Sequence, residues 1–305
     1  MKHLCFRNYI PACDRAAISE TKHIYACHIN GGPRLMQELA SGDRFVLVTS
    51  GGDTPIDGRM AARMPDNLVA WYAGNVHTVN HRIHPIPIGI PSDATYGDFS
   101  VIEEFRATPK TKDLFACFCL GNNPPERVPA MEQARHYVDW TVQCFQHNEA
   151  KLMTHRDFIR EMARHRFVLC PPGAQDSDTH RTWEALYLGC VPICKRSVFM
   201  EEFVNHFPIV LVDDWREVTP ERLKREWSGL SGVSMTKVWH DLDRVLSLDY
   251  WVDKIKASIP CVVPDLALKP LEELFRAKVI NLLVQEKLLP PERVQALYSH
   301  LRALR

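Results

Sequence analysis

Arg181 and Glu184 stand three residues apart in "THRTWEALYLG" (179–189), a spacing that puts both on one face of a helix. An arginine offers a fork of donors that fits diphosphate oxygens, and a carboxylate one turn deeper can accept hydrogen bonds from the two hydroxyls of a ribose. Phosphate beside ribose describes a nucleotide. The same spacing also makes an ordinary surface ion pair worth about 0.2–0.5 kcal/mol, so spacing alone leaves both open. Just ahead, "CPPGAQDSD" carries Asp176-Ser-Asp178, the arrangement in which carboxylates hold Mg or Mn against a diphosphate. Acidic residues beside a helix start are equally ordinary, because they complement its positive end, and the balance falls against a metal. "HTVNHRIH" offers His77, His81 and His84, and on a helix the first two would share a face as zinc ligands can. His84 precedes Pro85, however, and residues before proline avoid helix; a zinc-dependent hydrolase is therefore only a minor alternative.

The elements that must position these residues alternate between short apolar runs and amphipathic stretches, the pattern of an α/β protein built from βα units. "RFVLVTSGGDTP" (44–55) predicts a buried strand breaking into a Gly-Gly turn, and "NLVAWYAGN" (67–75) another ending at Gly-Asn. "HPIPIGIPSD" (84–93) is too proline-rich for a central strand and suits an extended connector. After the polar "ATPKTK" (107–112), "DLFACFCLGNN" (113–123) starts a fresh strand-turn pattern, which places a domain boundary near residue 110. "THRDFIREMARH" (154–165) predicts a helix with Phe158, Ile159 and Met162 on one face. "FVLC" is a strand, Pro171-Pro172-Gly173 breaks it, and Asp178 or Thr179 can cap a helix that Gly189 stops. "VPIC", "SVFMEEFVNH" and "PIVLVDD" continue as strand, helix, strand, completing a parallel sheet whose ligands belong beyond the carboxyl ends of its strands. The helix holding Arg181 thus begins where a ligand should sit, with unpaired N–H groups and a positive dipole end. Trp183, Leu186 and Tyr187 read as its buried stripe rather than a stacking box. From 265 onward, Leu271, Leu274, Phe275, Val279 and Leu282 mark one helix, and Val294, Leu297, Tyr298 and Leu301 another.

At 305 residues the chain has room for two domains, each able to bury its own core. Lys plus Arg and Asp plus Glu both number 37, so the net charge is zero and the electrostatic footprint of a nucleic-acid partner is missing. The ten cysteines lie mostly in apolar runs without a CxxC pair, which fits reduced core residues. No window approaches 18 uncharged apolar residues, so no integral membrane segment is expected and a cytoplasmic location is.

Taken whole, "FVLCPPGAQDSDTHRTWEALYLGCVPICK" resembles the signature of exostosin-like glycosyltransferases: a strand ending in C-P-x-G, a Ser/Thr-x-Arg-x-x-Glu-Ala helix, then G-C-[VI]-P-V. Cys170, Pro171, Gly173, Thr179, Arg181, Glu184, Ala185, Gly189, Cys190, Val191 and Pro192 fall on it in register. "LFACFCLGNNPPERV" resembles the segment that opens the family's donor domain, and "VLVDDWREV" its strand-Asp-Trp segment, so the likeness spans about residues 113–220. His180, where the family often has proline, and the acidic loop 174–178 depart from it.

The resemblance implies a GT-B architecture: two Rossmann-like domains facing across a cleft, here an acceptor-side domain over 1–110 and a donor domain over 111–264, followed by a helical extension over 265–305. It implies transfer of a sugar from a nucleoside diphosphate donor, with UDP favoured, to a glycan or other hydroxyl acceptor, usually inverting and without a required metal or other cofactor. A non-catalytic nucleotide-sugar or glycan-binding protein is the alternative. Such chemistry needs positive charge on the leaving diphosphate and a base at the acceptor hydroxyl. Arg127, placed by the likeness, Arg181, Lys195 and the helix start are expected to supply the first, with Gly173, Thr179 and His180 at the same site and Glu184 on the ribose. Asp53, on the Gly-rich turn beyond a strand of the first half, is the expected base, with His28 and His77 as alternates.

Overall fold

The apolar runs become nine strands in two all-parallel sheets in a computed structural model that describes residues 23–50, 52–90, 99–146, 153–173, 177–230 and 232–258. The first sheet runs in the order β1 (Ile24–His28), β2 (Phe45–Ser50), β3 (Leu68–Ala73), β4 (Ile83–Pro85). Helix α1 (Gly32–Leu39) joins β1 to β2, and α2 (Gly58–Ala61) joins β2 to β3. Residues 84 and 85, expected in an extended connector, instead complete β4. It lies at the end of the strand order, where a sheet tolerates a proline that cannot donate. Trp71 is fully buried in β3, and its indole N–H is satisfied by Thr49 Oγ1 at 2.8 Å.

After α3 (Phe99–Phe105) come β5 (Lys112–Ala116), α4 (Pro124–Arg135), β6 (Thr141–Val142), α5 (His155–Met162) and β7 (His165–Cys170). Then follow α6 (His180–Tyr187), β8 (Val191–Lys195), α7 (Val198–Val204) and β9 (Val210–Val212), with α8 (Pro220–Gly229), α9 (Met235–Val245) and α10 (Leu248–Ala257) beyond them. Strand order in this sheet is β6-β5-β7-β8-β9.

Period-two alternation builds two apolar layers on this second sheet. Leu114, Ala116, Phe167, Leu169, Val191 and Ile193 face one layer with Ala130, Met131 and Ala134 of α4. Phe115, Val168, Cys170 and Cys194 face the other with Ile159 and Met162 of α5 and Trp183, Ala185 and Leu186 of α6. That second layer is continuous with the core of the first sheet, including Val46, Trp71 and Tyr72. The helices after neighbouring strands β5 and β7 therefore leave on opposite faces of the sheet, which opens a crevice at the carboxyl ends of those two strands.

Helix α5 ends three residues before the expected stop because β7 already begins at His165. Helix α6 ends as the glycine predicted. Gly189 takes φ of +71°, its N–H bonds to Leu186 O, and the Cys190 N–H reaches back to Ala185 O at 2.8 Å.

Contacts divide the chain into Met1–Pro260 and Cys261–Arg305. The helices expected from 265 lie outside the described residues. Among the described residues, Cys117, Cys144, Cys170, Cys190 and Cys194 are free thiols. No helix among the described residues is long and apolar enough to cross a membrane.

His165 closes the base of the second sheet. It is fully buried; Nδ1–H donates to Glu161 O at 2.8 Å and Nε2 accepts from Thr141 Oγ1 at 2.9 Å. Burial pushes its pKa down to about 4. Below about pH 6.5 the unfolded chain takes up a proton that the folded ring refuses, so this stabilisation is full above that pH and is lost as pH falls towards 4. Urea melts at about pH 7.5 and about pH 5 should show wild type losing about 2 kcal/mol more than His165→Gln. Equal losses would mean the ring is not held neutral.

Candidate functional site

The crevice at the carboxyl ends of β5 and β7 receives one arginine from each side. Arg127, in the first turn of α4, is 4% exposed; its Nε donates to Pro172 O at 2.9 Å and its Nη1 to Cys119 O at 2.6 Å. One guanidinium thereby ties the loop after β7 to the loop after β5. Asn123 makes a parallel tie, its Nδ2 donating to Gly173 O at 2.9 Å. Burial, and then the nearby Arg181 guanidinium, hold Arg127 down to about 10.

Arg181 lies in the first turn of α6, its guanidinium 5.4 Å from the Phe118 ring centre. Its Nε and Nη1 are buried and have no hydrogen-bond partner among the described residues. Thr179, the N-cap of α6, makes no capping bond, and its Oγ1 is likewise buried without a partner among the described residues. A helix start thus carries two unsatisfied donors and a hydroxyl next to a second buried cation. Unmade hydrogen bonds of this kind cost roughly 1–3 kcal/mol each, and an anion with several acceptor oxygens would satisfy them together.

The cap expected from Asp178 is not made, because its carboxylate is used elsewhere. Oδ2 accepts the Ile88 backbone N–H at 2.8 Å and the Trp183 indole N–H at 2.6 Å. Burial raises its pKa to about 7. The segment around it is a joint between the two sheets: Ser177 Oγ donates to Asn75 Oδ1 at 3.1 Å, and His180 Nδ1 donates to Gly89 O at 2.7 Å. His180 is therefore held at the lip of the crevice by the loop after β4. Burial lowers its pKa.

Glu184, on the same face of α6 as Arg181, does not need the arginine. It is 3% exposed and its Oε1 accepts from His155 Nε2 at 3.0 Å. Lys195 ends β8 at the same edge of the sheet and pairs with Glu126 Oε2 at 3.3 Å, an oxygen that also accepts the Trp215 indole N–H at 2.8 Å. Gly173 sits between the site's side chains; a Cβ there would lie 3.9 Å from Arg127 Nη2 and 3.9 Å from Thr179 Cγ2. Trp183 and Tyr187 are fully buried, as the stripe reading expects.

On the first sheet, Asp53 is exposed just past the carboxyl end of β2, behind Gly52. Gly52 takes φ of +73°, and a Cβ there would meet His28 Cε1 at 2.9 Å, so the turn requires glycine. Asn75, itself at φ of +54°, donates to Gly52 O at 3.1 Å while accepting from Ser177. One asparagine thus links the Asp53 turn to the start of α6. His28 ends β1 and His77 follows β3, both at the same edge.

Asp176 lies outside the described residues, and a cation at Asp178 would have to displace two N–H donors. His77 follows the bridge residue Val76 and His81 lies in a turn, neither on a helix, and His84 is in β4 with its ring 4.8 Å from that of Tyr72. Among the described residues no group of three His, Cys, Asp or Glu side chains could hold a metal ion. Sequence reasoning missed Asn75, Asn123 and His155. Asn75 had a faint signal, asparagine at a strand end beside glycine, Asn123 another, asparagine just before the Pro-Pro that opens α4, and His155 had none.

No protein-family model matches the chain, and no curated protein matches it. Among solved structures, a chain described as "OtsA apo structure" is similar at a TM-score of 0.41 and 12% identity, covering 79% of this chain and 73% of that one. At that distance any functional reading must come from the chain's own residues.

Asp178→Ala would leave the Ile88 and Trp183 N–H groups buried and unpaired, and should cost about 3 kcal/mol in urea unfolding at neutral pH. An unchanged midpoint would show that the joint between the sheets does not depend on this carboxylate.

Proposed function

We propose that the chain is a glycosyltransferase of GT-B type that binds a nucleoside diphosphate sugar at the start of α6. The observation that carries this reading is the set of buried, unpartnered groups there, Arg181 Nε and Nη1 and Thr179 Oγ1, beside the buried Arg127 guanidinium. A diphosphate supplies the missing acceptors and offsets the repulsion between the two cations. Glu184, one turn deeper, takes the ribose hydroxyls. Gly173 lets the phosphates approach the loop after β7. His180 stays at the rim, and Lys195 exchanges Glu126 for a phosphate oxygen. The exostosin-like motif supports the same assignment and favours UDP as the nucleotide, with acceptor-side and donor-side domains meeting near residue 110.

In an inverting transfer the acceptor oxygen attacks the anomeric carbon, the bond from that carbon to the diphosphate oxygen breaks, and a base takes the acceptor's proton. Arg127, Arg181 and the helix start stabilise the charge that gathers on the departing diphosphate. Asp53 is assigned as the base, because Asn75 links its turn to the segment that leads into α6. The acceptor is a glycan or other hydroxyl compound.

Calorimetric titration with UDP and GDP in EDTA should show binding of at least one, weakened by about tenfold or more in Arg181→Ala. Absence of binding to either, or an unchanged Arg181→Ala affinity, would overturn the site. Asp53→Asn should bind the nucleotide normally but lose transfer by about 10²-fold. A normal rate would move the base to His28 or His77.

A further inference from the structure

The geometry points to His155 as the positioning residue for Glu184, setting a preference for ribose over deoxyribose in the donor without touching the donor itself. This rests on the nucleotide reading above. His155 opens α5, and that start is fixed by Thr154, whose Oγ1 accepts the Asp157 N–H at 3.1 Å. From there its Nε2 reaches Glu184 Oε1 at 3.0 Å, with the imidazole 19% and the carboxylate 5% exposed. A hydrogen bond to a charged group so screened from water is stronger than its surface counterpart.

Two features separate His155 from a histidine that merely fills the core. His165 has both ring nitrogens satisfied, whereas the Nδ1 of His155 is buried with no partner, leaving Glu184 as the ring's one polar contact among the described residues. The ring is held instead by packing, stacked on Phe158 with centroids 6.4 Å apart and planes 26° from parallel. The imidazole is thus fixed by apolar contact, and its hydrogen bonding is directed at a single carboxylate oxygen. A carboxylate with one oxygen pinned presents the other in a constant direction. Unpinned, it rotates about its last bond and meets a diol in the correct orientation only part of the time.

A site built to hydrogen-bond a hydroxyl rejects the analogue that lacks it, because the buried acceptor is then left unpaired. Pinning Glu184 should therefore appear as discrimination between UDP and 2′-deoxy-UDP, or between GDP and 2′-deoxy-GDP if GDP binds tighter. The phosphate end does not involve His155, so inorganic pyrophosphate reports on Arg127, Arg181, Thr179 and Lys195 without the Glu184 contact.

Titration of wild type, His155→Ala and His155→Gln with the ribonucleotide, its deoxy counterpart and pyrophosphate tests this. Wild type should favour the ribonucleotide by about tenfold or more. In His155→Ala that ratio should shrink towards one while pyrophosphate affinity stays unchanged, and His155→Gln, whose amide N–H can reach the same oxygen, should restore most of it. A His155→Ala ratio equal to wild type, or parallel losses for nucleotide and pyrophosphate, would overturn the inference while leaving the phosphate site standing. A wild-type protein that binds none of the three would overturn the nucleotide reading as well.

Discussion

Arg127 is locked into the protein before any ligand arrives. By holding Pro172 O and Cys119 O together, it fixes the distance between the loops after β5 and β7 and so the width of the crevice between them. The price is a buried cation next to Arg181, whose own donors are left unsatisfied. Natural interiors seldom keep such groups unpaired unless something else completes them. Around these two guanidiniums lie the start of α6, where Thr179 makes no capping bond, the loop at Gly173 and, one turn on, the carboxylate of Glu184.

A second set of bonds decides what that place faces. Asp178, Ser177 and His180 reach across to Ile88, Asn75 and Gly89, so the segment leading into the helix is also the seam between the two sheets. These bonds join loops beyond the carboxyl ends of both sheets, with the Asp53 turn attached through Gly52 and Asn75. The acidic residue at the seam is buried and raised to about 7. Its role is to hold two backbones together, which explains why it neither caps the helix nor presents a free carboxylate to a cation.

Much of this was legible in the sequence because it is local. The run of strand, break, helix and glycine stop from Phe167 to Gly189 has one consistent interpretation, and spacing alone puts Arg181 and Glu184 on one face of α6. The partners of those residues were not legible. Glu184 is pinned by His155, 29 residues earlier on another helix, and Asp178 by Ile88, 90 residues earlier, and no periodicity encodes such contacts. The ion pair that Arg181 and Glu184 might have made is replaced by an orphan and a histidine partner, a difference only tertiary structure can supply. β4 was missed for a related reason: its proline lowers strand propensity, while its place at the end of the sheet order removes the penalty. Helices α9 and α10 also went unread.

On the function proposed above, the groups at the start of α6 that lack partners among the described residues take a diphosphate. A crystal structure of the protein with UDP or GDP, grown without divalent metal, tests it most directly. Phosphate oxygens should lie within hydrogen-bond distance of Arg181 Nε and Nη1 and of Thr179 Oγ1, with the ribose at Glu184 and no rearrangement of Arg127. A nucleotide lodged elsewhere, with Arg181 still unpartnered, would contradict it.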